Sequence, residues 1–116
     1  MSVKILHNPK CSKSREMLKL LEDQGIEVEI ELYLEKQYSV AELRQICRQL
    51  GFDDVRNMMR VNDELYRTLG LEDPELNPTL LLHAISQNPA LLERPIVING
   101  EQAKIGRPPE AVLEIL

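Results

Sequence analysis

The hydrophobic period changes several times along this chain, and each change marks the boundary of a predicted element. Val3, Ile5 and Leu6 form a short apolar run that predicts a buried strand ending at His7, followed by an Asn8-Pro9-Lys10 turn. After Cys11 the spacing becomes helical, with Met17, Leu18, Leu20 and Leu21 on the apolar side and Gly25 as the stop. Glu27-Val28-Glu29-Ile30-Glu31-Leu32 then alternates strictly, the pattern of a strand with one acidic, solvated face. Strand, helix and strand in about 30 residues make a βαβ unit, so the two strands should run parallel with a right-handed crossover.

A helical middle follows. Ser39-Val40-Ala41-Glu42 is a capping box, and Leu43, Ile46, Cys47 and Leu50 recur at helical spacing before Gly51. Shorter helical segments are expected over Val55–Met59, Asn62–Leu69 and Pro78–Gln87. The last has Asn77 as its cap, Pro78 at its first position and Asn88-Pro89 as its stop. Strands return in Pro95–Ile98 and Gln102–Ile105, joined through an Asn99-Gly100 turn, and Pro108-Pro109 opens a final helix through Val112, Leu113 and Leu116. The order is βαβ, an all-helical insertion over about residues 39–90, then ββα. This predicts an α/β chain with a mixed four-stranded sheet and a thioredoxin-like fold.

At 116 residues the chain suits one domain with its own core. A net charge of −5, from 19 acidic and 14 basic side chains, argues against nucleic acid as the main partner. No apolar stretch approaches the roughly 20 residues of a membrane span, and the first apolar run, broken by Lys4 and His7, does not read as a secretory leader. The two cysteines, Cys11 and Cys47, lie far apart and form no disulfide framework, which points to a reducing cytoplasm.

Cys11 carries most of the chemical information. Between a strand-turn and a helix, its thiol meets the unpaired N–H groups of a helix start, where negative charge is favoured. A thiol of pKa about 8.5 is only about 3% ionised at pH 7, and lowering it by about two units makes the reactive thiolate the major species. His7 lies four residues earlier and can donate to the thiolate or assist proton transfer. Ser12 and Ser14 occupy the first helical turn, where a hydroxyl can bond sulfur or a bound anion. Cys47 shares the stripe of Leu43, Ile46 and Leu50 and reads as core. With Ser14 in the place a second active-site cysteine would take, any redox cycle through Cys11 needs an external thiol. Three arginines complete the set: Arg60 ends the apolar Met58-Met59 segment, Arg94 precedes a buried strand, and Arg107 takes the N-cap position of the final helix. Guanidinium groups suit bidentate binding of tetrahedral oxyanions. No residues are assigned as metal ligands.

Four stretches together resemble one family: His7-Asn8-Pro9-Lys10-Cys11-Ser12-Lys13-Ser14-Arg15, Arg60, Glu93-Arg94-Pro95-Ile96-Val97 and Gly106-Arg107-Pro108-Pro109-Glu110. They are similar to the ArsC family of glutaredoxin-coupled arsenate reductases, nearest its YfgD-like branch, and the resemblance runs from Val3 to Leu116. It implies a thioredoxin-like fold with a helical insertion, Cys11 as nucleophile, Arg60, Arg94 and Arg107 as the arsenate-binding triad, and His7 close enough to support the thiolate. Related folds imply a cis Arg94–Pro95 bond. The resemblance further implies no bound cofactor, with arsenate as substrate, glutathione as external reductant and glutaredoxin as partner. Gly106 departs from the pattern, standing where some arsenate reductases have a cysteine, so the physiological substrate is less determined than the fold. Two other readings stay open: a monothiol reductase of glutathione mixed disulfides or another oxyanion, and a redox-linked, RNA polymerase-binding regulator of the Spx type. The latter generally switches through CxxC, which Ser14 interrupts.

Overall fold

The first apolar run becomes an interior strand because it is covered on both faces. In the computed structural model, which describes residues 3–116, β1 (Val3–Leu6) runs parallel to β2 (Val28–Glu31) and antiparallel to β3 (Ile96–Asn99). β4 (Gln102–Ile105) pairs antiparallel with β3, giving the order β2-β1-β3-β4. This is the expected mixed, thioredoxin-like sheet. On one face Val3, Ile5 and Val97 pack against Met17 and Leu21 of α1 (Ser12–Asp23), with Val112 and Ile115 from the chain end. On the other, Leu6, Ile96 and Ala103 meet the insertion, chiefly α2 (Val40–Leu50) and α4 (Pro78–Gln87). Met17, Leu21, Leu43 and Ile85 are fully enclosed, each contributing about 1.5–3 kcal/mol.

Local chemistry sets the ends of α2 and α4 as expected. Ser39 Oγ accepts from the Glu42 N–H (3.0 Å) and Glu42 Oε1 accepts from the Ser39 N–H (3.1 Å), a reciprocal cap worth about 1 kcal/mol. Gly51 ends α2 at φ +76°, a left-handed conformation that favours glycine. Asn77 caps α4 through the Leu80 N–H (2.9 Å). Between them, Val55–Met58 is a 3-10 turn and α3 is confined to Glu64–Thr68.

Three expectations are corrected. The strand read as Glu27–Leu32 is only Val28–Glu31, and its apolar face is only partly buried: Ile30 is 49% exposed. β2 is a sheet edge; Val28, paired with Val3, packs on the α1-side core, while Ile30, paired with Ile5, lies outside it. Half-buried Glu31 is instead held by Tyr38 Oη (2.6 Å) and Lys36 Nζ (3.2 Å). In the hairpin, Asn99 belongs to β3 and pairs with Gln102, so the two-residue loop is Gly100-Glu101. Gly100 at φ +62° supplies the positive φ that a type II′ turn needs first. The final helix is a 3-10 run over Pro109–Ile115, preceded by Pro108 rather than Arg107. Its buried residues, Val112 and Ile115, are three apart, the spacing that three residues per turn places on one side.

Gly106 has a packing reason. A Cβ there would lie 2.5 Å from Met17 Cε and 3.0 Å from Pro95 Cγ. Met17 Cε is the free end of a flexible side chain and can give way, so Gly106→Ala should destabilise the fold by the low end of the overpacking range, about 1 kcal/mol. Urea denaturation checks this, and an unchanged midpoint would refute it.

Candidate active site

Cys11 stands at the N-cap of α1 in extended conformation (φ −96°, ψ 122°), beside the free N–H groups of the first turn but with no side-chain capping hydrogen bond. The loop carrying it is fixed from several directions. The Cys11 N–H donates to Asn8 O (3.0 Å), and Arg15 Nη1 donates to Pro9 O (2.8 Å). Behind the loop, Ser14 Oγ accepts from the Asn8 N–H (3.0 Å) and lies 2.7 Å from His7 Nδ1. A hydroxyl can accept two hydrogen bonds, so which of Ser14 Oγ and His7 Nδ1 donates in this pair is set by the His7 tautomer. Burial, then the Arg15 charge, pushes the His7 pKa below its ordinary value, in keeping with a neutral ring.

The Cys11 thiol is also shifted down. Partial burial, the largest single influence, raises its pKa. The Ser14 N–H, the Arg94 guanidinium and the Lys13 N–H together outweigh burial and hold the thiol below its usual range. Cys47 moves the other way, raised by burial and then by Asp54 and Asp53. It is buried in the insertion-side core as expected, with its sulfur 3.5 Å from Phe52 O. Iodoacetamide should therefore alkylate Cys11 alone in the native protein, as peptide mass mapping would show. Cys47 should react only on unfolding.

The arginines reach Cys11 through a short pairing far from it in sequence. Met59 and Leu92 form an isolated antiparallel bridge, flanked by Arg60 N–H to Leu91 O (2.8 Å) and Glu93 N–H to Met58 O (2.9 Å). Met58, Met59, Leu91 and Leu92 are all buried, so core packing sets Arg60, Glu93 and Arg94 side by side. The Arg94–Pro95 bond is cis, as expected, and so is Arg107–Pro108. Arg107 Nε donates to Arg94 O (2.8 Å).

Two adjoining hollows result. One, of about 360 Å³, is lined by Cys11, Ser12, Tyr33, Arg60 and Arg94 with Asn8, Lys10, Leu34 and Ala90. Its neighbour, of about 310 Å³, is lined by Arg60, Arg94 and Arg107 with Asp63 and Glu93. Arg60 and Arg94 face both. Asp63 Oδ2 is 3.5 Å from Arg60 Nη1, and Glu93 Oε1 lies 4.0 Å from Arg60 Nε and 3.9 Å from Arg94 Nη1. Such loose, partly exposed pairs are weak, so the guanidinium donors stay available to an incoming anion.

Of the residues expected at the site, Cys11, Arg60 and Arg94 converge on one hollow and Arg107 lines the next. Ser14 lines neither hollow: its side chain is fully buried and engaged by His7 and Asn8. His7 is likewise buried behind the loop and bonds Ser14. Tyr33, Asp63 and Glu93 were not anticipated. Their one sequence signal was position, Tyr33 just past a strand end and Glu93 beside Arg94. A larger hollow, about 400 Å³, lies elsewhere between Lys4, Glu31, Lys36, Tyr38 and Glu42, but its charges pair among themselves. Among the described residues no group of three or more His, Cys, Asp or Glu is placed to hold a metal ion, and no helix is long and apolar enough to cross a membrane.

Comparison with known proteins agrees with this geometry. The sequence model of the ArsC family matches residues 6–115. Over its full length the chain is 65% identical to all of an arsenate reductase of Haemophilus influenzae. It is 50% identical to YfgD of Escherichia coli K12, with 98% of this chain and 96% of that protein aligned. Among solved structures, an arsenate reductase from Vibrio cholerae superposes with a TM-score of 0.97 at 55% identity, covering 100% of this chain and 98% of that one.

Proposed function

The chain belongs to the ArsC family, and from that membership and the hollow over Cys11 we propose that it is an arsenate reductase dependent on glutathione and glutaredoxin. The observation that carries the reading is that Arg60 and Arg94 share one hollow with a thiol of lowered pKa. Planar donors grouped beside a thiolate suit a compact tetrahedral oxyanion, whose charge lies at the reacting atom; the carboxylates of a glutathione mixed disulfide lie several bonds from the sulfur that reacts.

In this reading arsenate sits on Arg60 and Arg94, with Arg107 at its outer side, and the charge around it is neutralised before reaction. The Cys11 thiolate attacks arsenic, an S–As bond forms, and one As–O bond breaks with loss of water; arsenic remains pentavalent. Glutathione then attacks the Cys11 sulfur, the S–As pair of electrons passes to arsenic, and arsenite leaves. The products are trivalent arsenic and a Cys11–glutathione disulfide, so two thiols supply the two electrons. Glutaredoxin clears that disulfide, because Cys47 is buried in the opposite core and no second thiol adjoins Cys11. His7 supports the thiolate indirectly, by fixing Ser14 and through it the loop that presents Cys11. Such a cycle belongs to a reducing, glutathione-containing cytoplasm.

The test is arsenite formation from arsenate with glutathione and glutaredoxin supplied together and each omitted in turn. Turnover is expected only in the complete mixture. Equal turnover without either would overturn the coupling, and none in the complete mixture would overturn the activity.

A further inference from the structure

We propose that Tyr33 is a catalytic residue of this site, its phenol O–H donating to the oxyanion held over Cys11 and protonating the oxygen that leaves; the inference rests on the arsenate reductase reading. Tyr33 stands two residues beyond the end of β2, whose last residue, Glu31, pairs with Leu6 and through its carbonyl accepts from the His7 N–H (2.8 Å). That pairing delivers the ring to the Cys11 loop. The side chain is only 2% exposed, yet it lines the hollow with Cys11, Arg60 and Arg94. Its hydroxyl has no hydrogen-bond partner among the described residues, while none of their fully enclosed side-chain N or O atoms lacks one. The small open part of Tyr33 is therefore its hydroxyl, aimed into the hollow.

A hydroxyl that opens on the hollow and has no protein partner is free to donate to whatever oxyanion sits there. Of the other groups lining the hollow, Arg60, Arg94 and Lys10 supply positive charge, Cys11 the nucleophile, and Ser12 a hydroxyl far less acidic than a phenol. Burial, the largest influence, raises the phenol's pKa; Arg94 and Arg60 oppose it and Cys11 and Glu93 add to it, leaving the phenol protonated. In the first step Cys11 forms the S–As bond as one As–OH bond breaks. The departing hydroxyl takes the Tyr33 proton and leaves as water, and solvent reprotonates the tyrosinate. No electrons change hands in this step.

Tyr33→Phe removes the oxygen and keeps the ring. Two measurements decide the matter. Sodium arsenate titrated calorimetrically into Cys11→Ser protein, with and without Tyr33→Phe, should bind about 10-fold more weakly when the phenol is absent. With the complete reductant system, Tyr33→Phe should lower kcat about 100-fold while the pH midpoint of Cys11 alkylation and the melting temperature stay at wild-type values. Equal arsenate affinity and turnover within about threefold of wild type would overturn the proposal. So would a loss of turnover that merely tracks a lowered melting temperature or a shifted alkylation midpoint, because the ring would then act through packing. If the wild type reduces no arsenate, the function reading fails, and the binding arm still decides whether Tyr33 contacts the anion.

Discussion

The Cys11→Ser protein is expected to lose arsenate reduction by about 10⁴-fold or more while keeping its fold and its affinity for the anion. Loss of a nucleophile removes the step itself rather than a share of its stabilisation, so the effect should fall on kcat. Cys11 makes no side-chain capping hydrogen bond that the change would remove, and serine is itself a favoured N-cap residue, so stability should hold. Its hydroxyl remains protonated where the thiol ionises, and oxygen cannot enter the disulfide exchange that releases arsenite. The assay is the complete coupled reaction, with circular dichroism melting as the check on folding. Turnover by the serine variant at more than a few per cent of wild type would refute Cys11 as the attacking group.

Arg94→Ala should follow, with kcat/KM for arsenate falling about 10²–10³-fold, the range for removing one preorganised donor from a reacting anion. Two effects combine. The guanidinium faces the hollow over Cys11, and its proximity to the sulfur also favours the thiolate over the thiol. The second effect has a readout independent of arsenate. Arg94 favours the thiolate, so removing it raises the thiol's pKa, and the pH curve for Cys11 alkylation should move to higher pH. Below the wild-type midpoint the variant should therefore react more slowly than wild type, and at high pH the two should converge. An alkylation curve that stays in place would refute the influence of Arg94 on the sulfur. An unchanged KM and kcat would refute the anion site.

Much of this was legible before any coordinate. Apolar spacing gave α1, α2 and α4 with their caps, because a helix is a local object whose signals lie within a few residues of one another. The edge strand was misread for the opposite reason. Alternation in Glu27–Leu32 records a two-faced strand, but whether Ile30 is covered depends on how far α1 reaches across the sheet. The placement of Ser14 likewise depends on tertiary contacts. A serine in a first helical turn is a plausible anion ligand until His7 and Asn8 are seen to enclose it.

The sequence alone determined the order of elements, a thiol at a helix N-terminus and the absence of a second cysteine beside it. These rest on short-range physics: the free N–H groups of one turn, the spacing of one stripe, the identity of residue 14. The tertiary structure decided which distant groups share the hollow with that thiol. Arg60 and Arg94 arrive because buried Met58, Met59, Leu91 and Leu92 pair two segments about 33 residues apart. Tyr33 arrives because β2 pairs with β1 in one register. Contacts of that kind follow from how the core closes, and no local pattern in the chain encodes them.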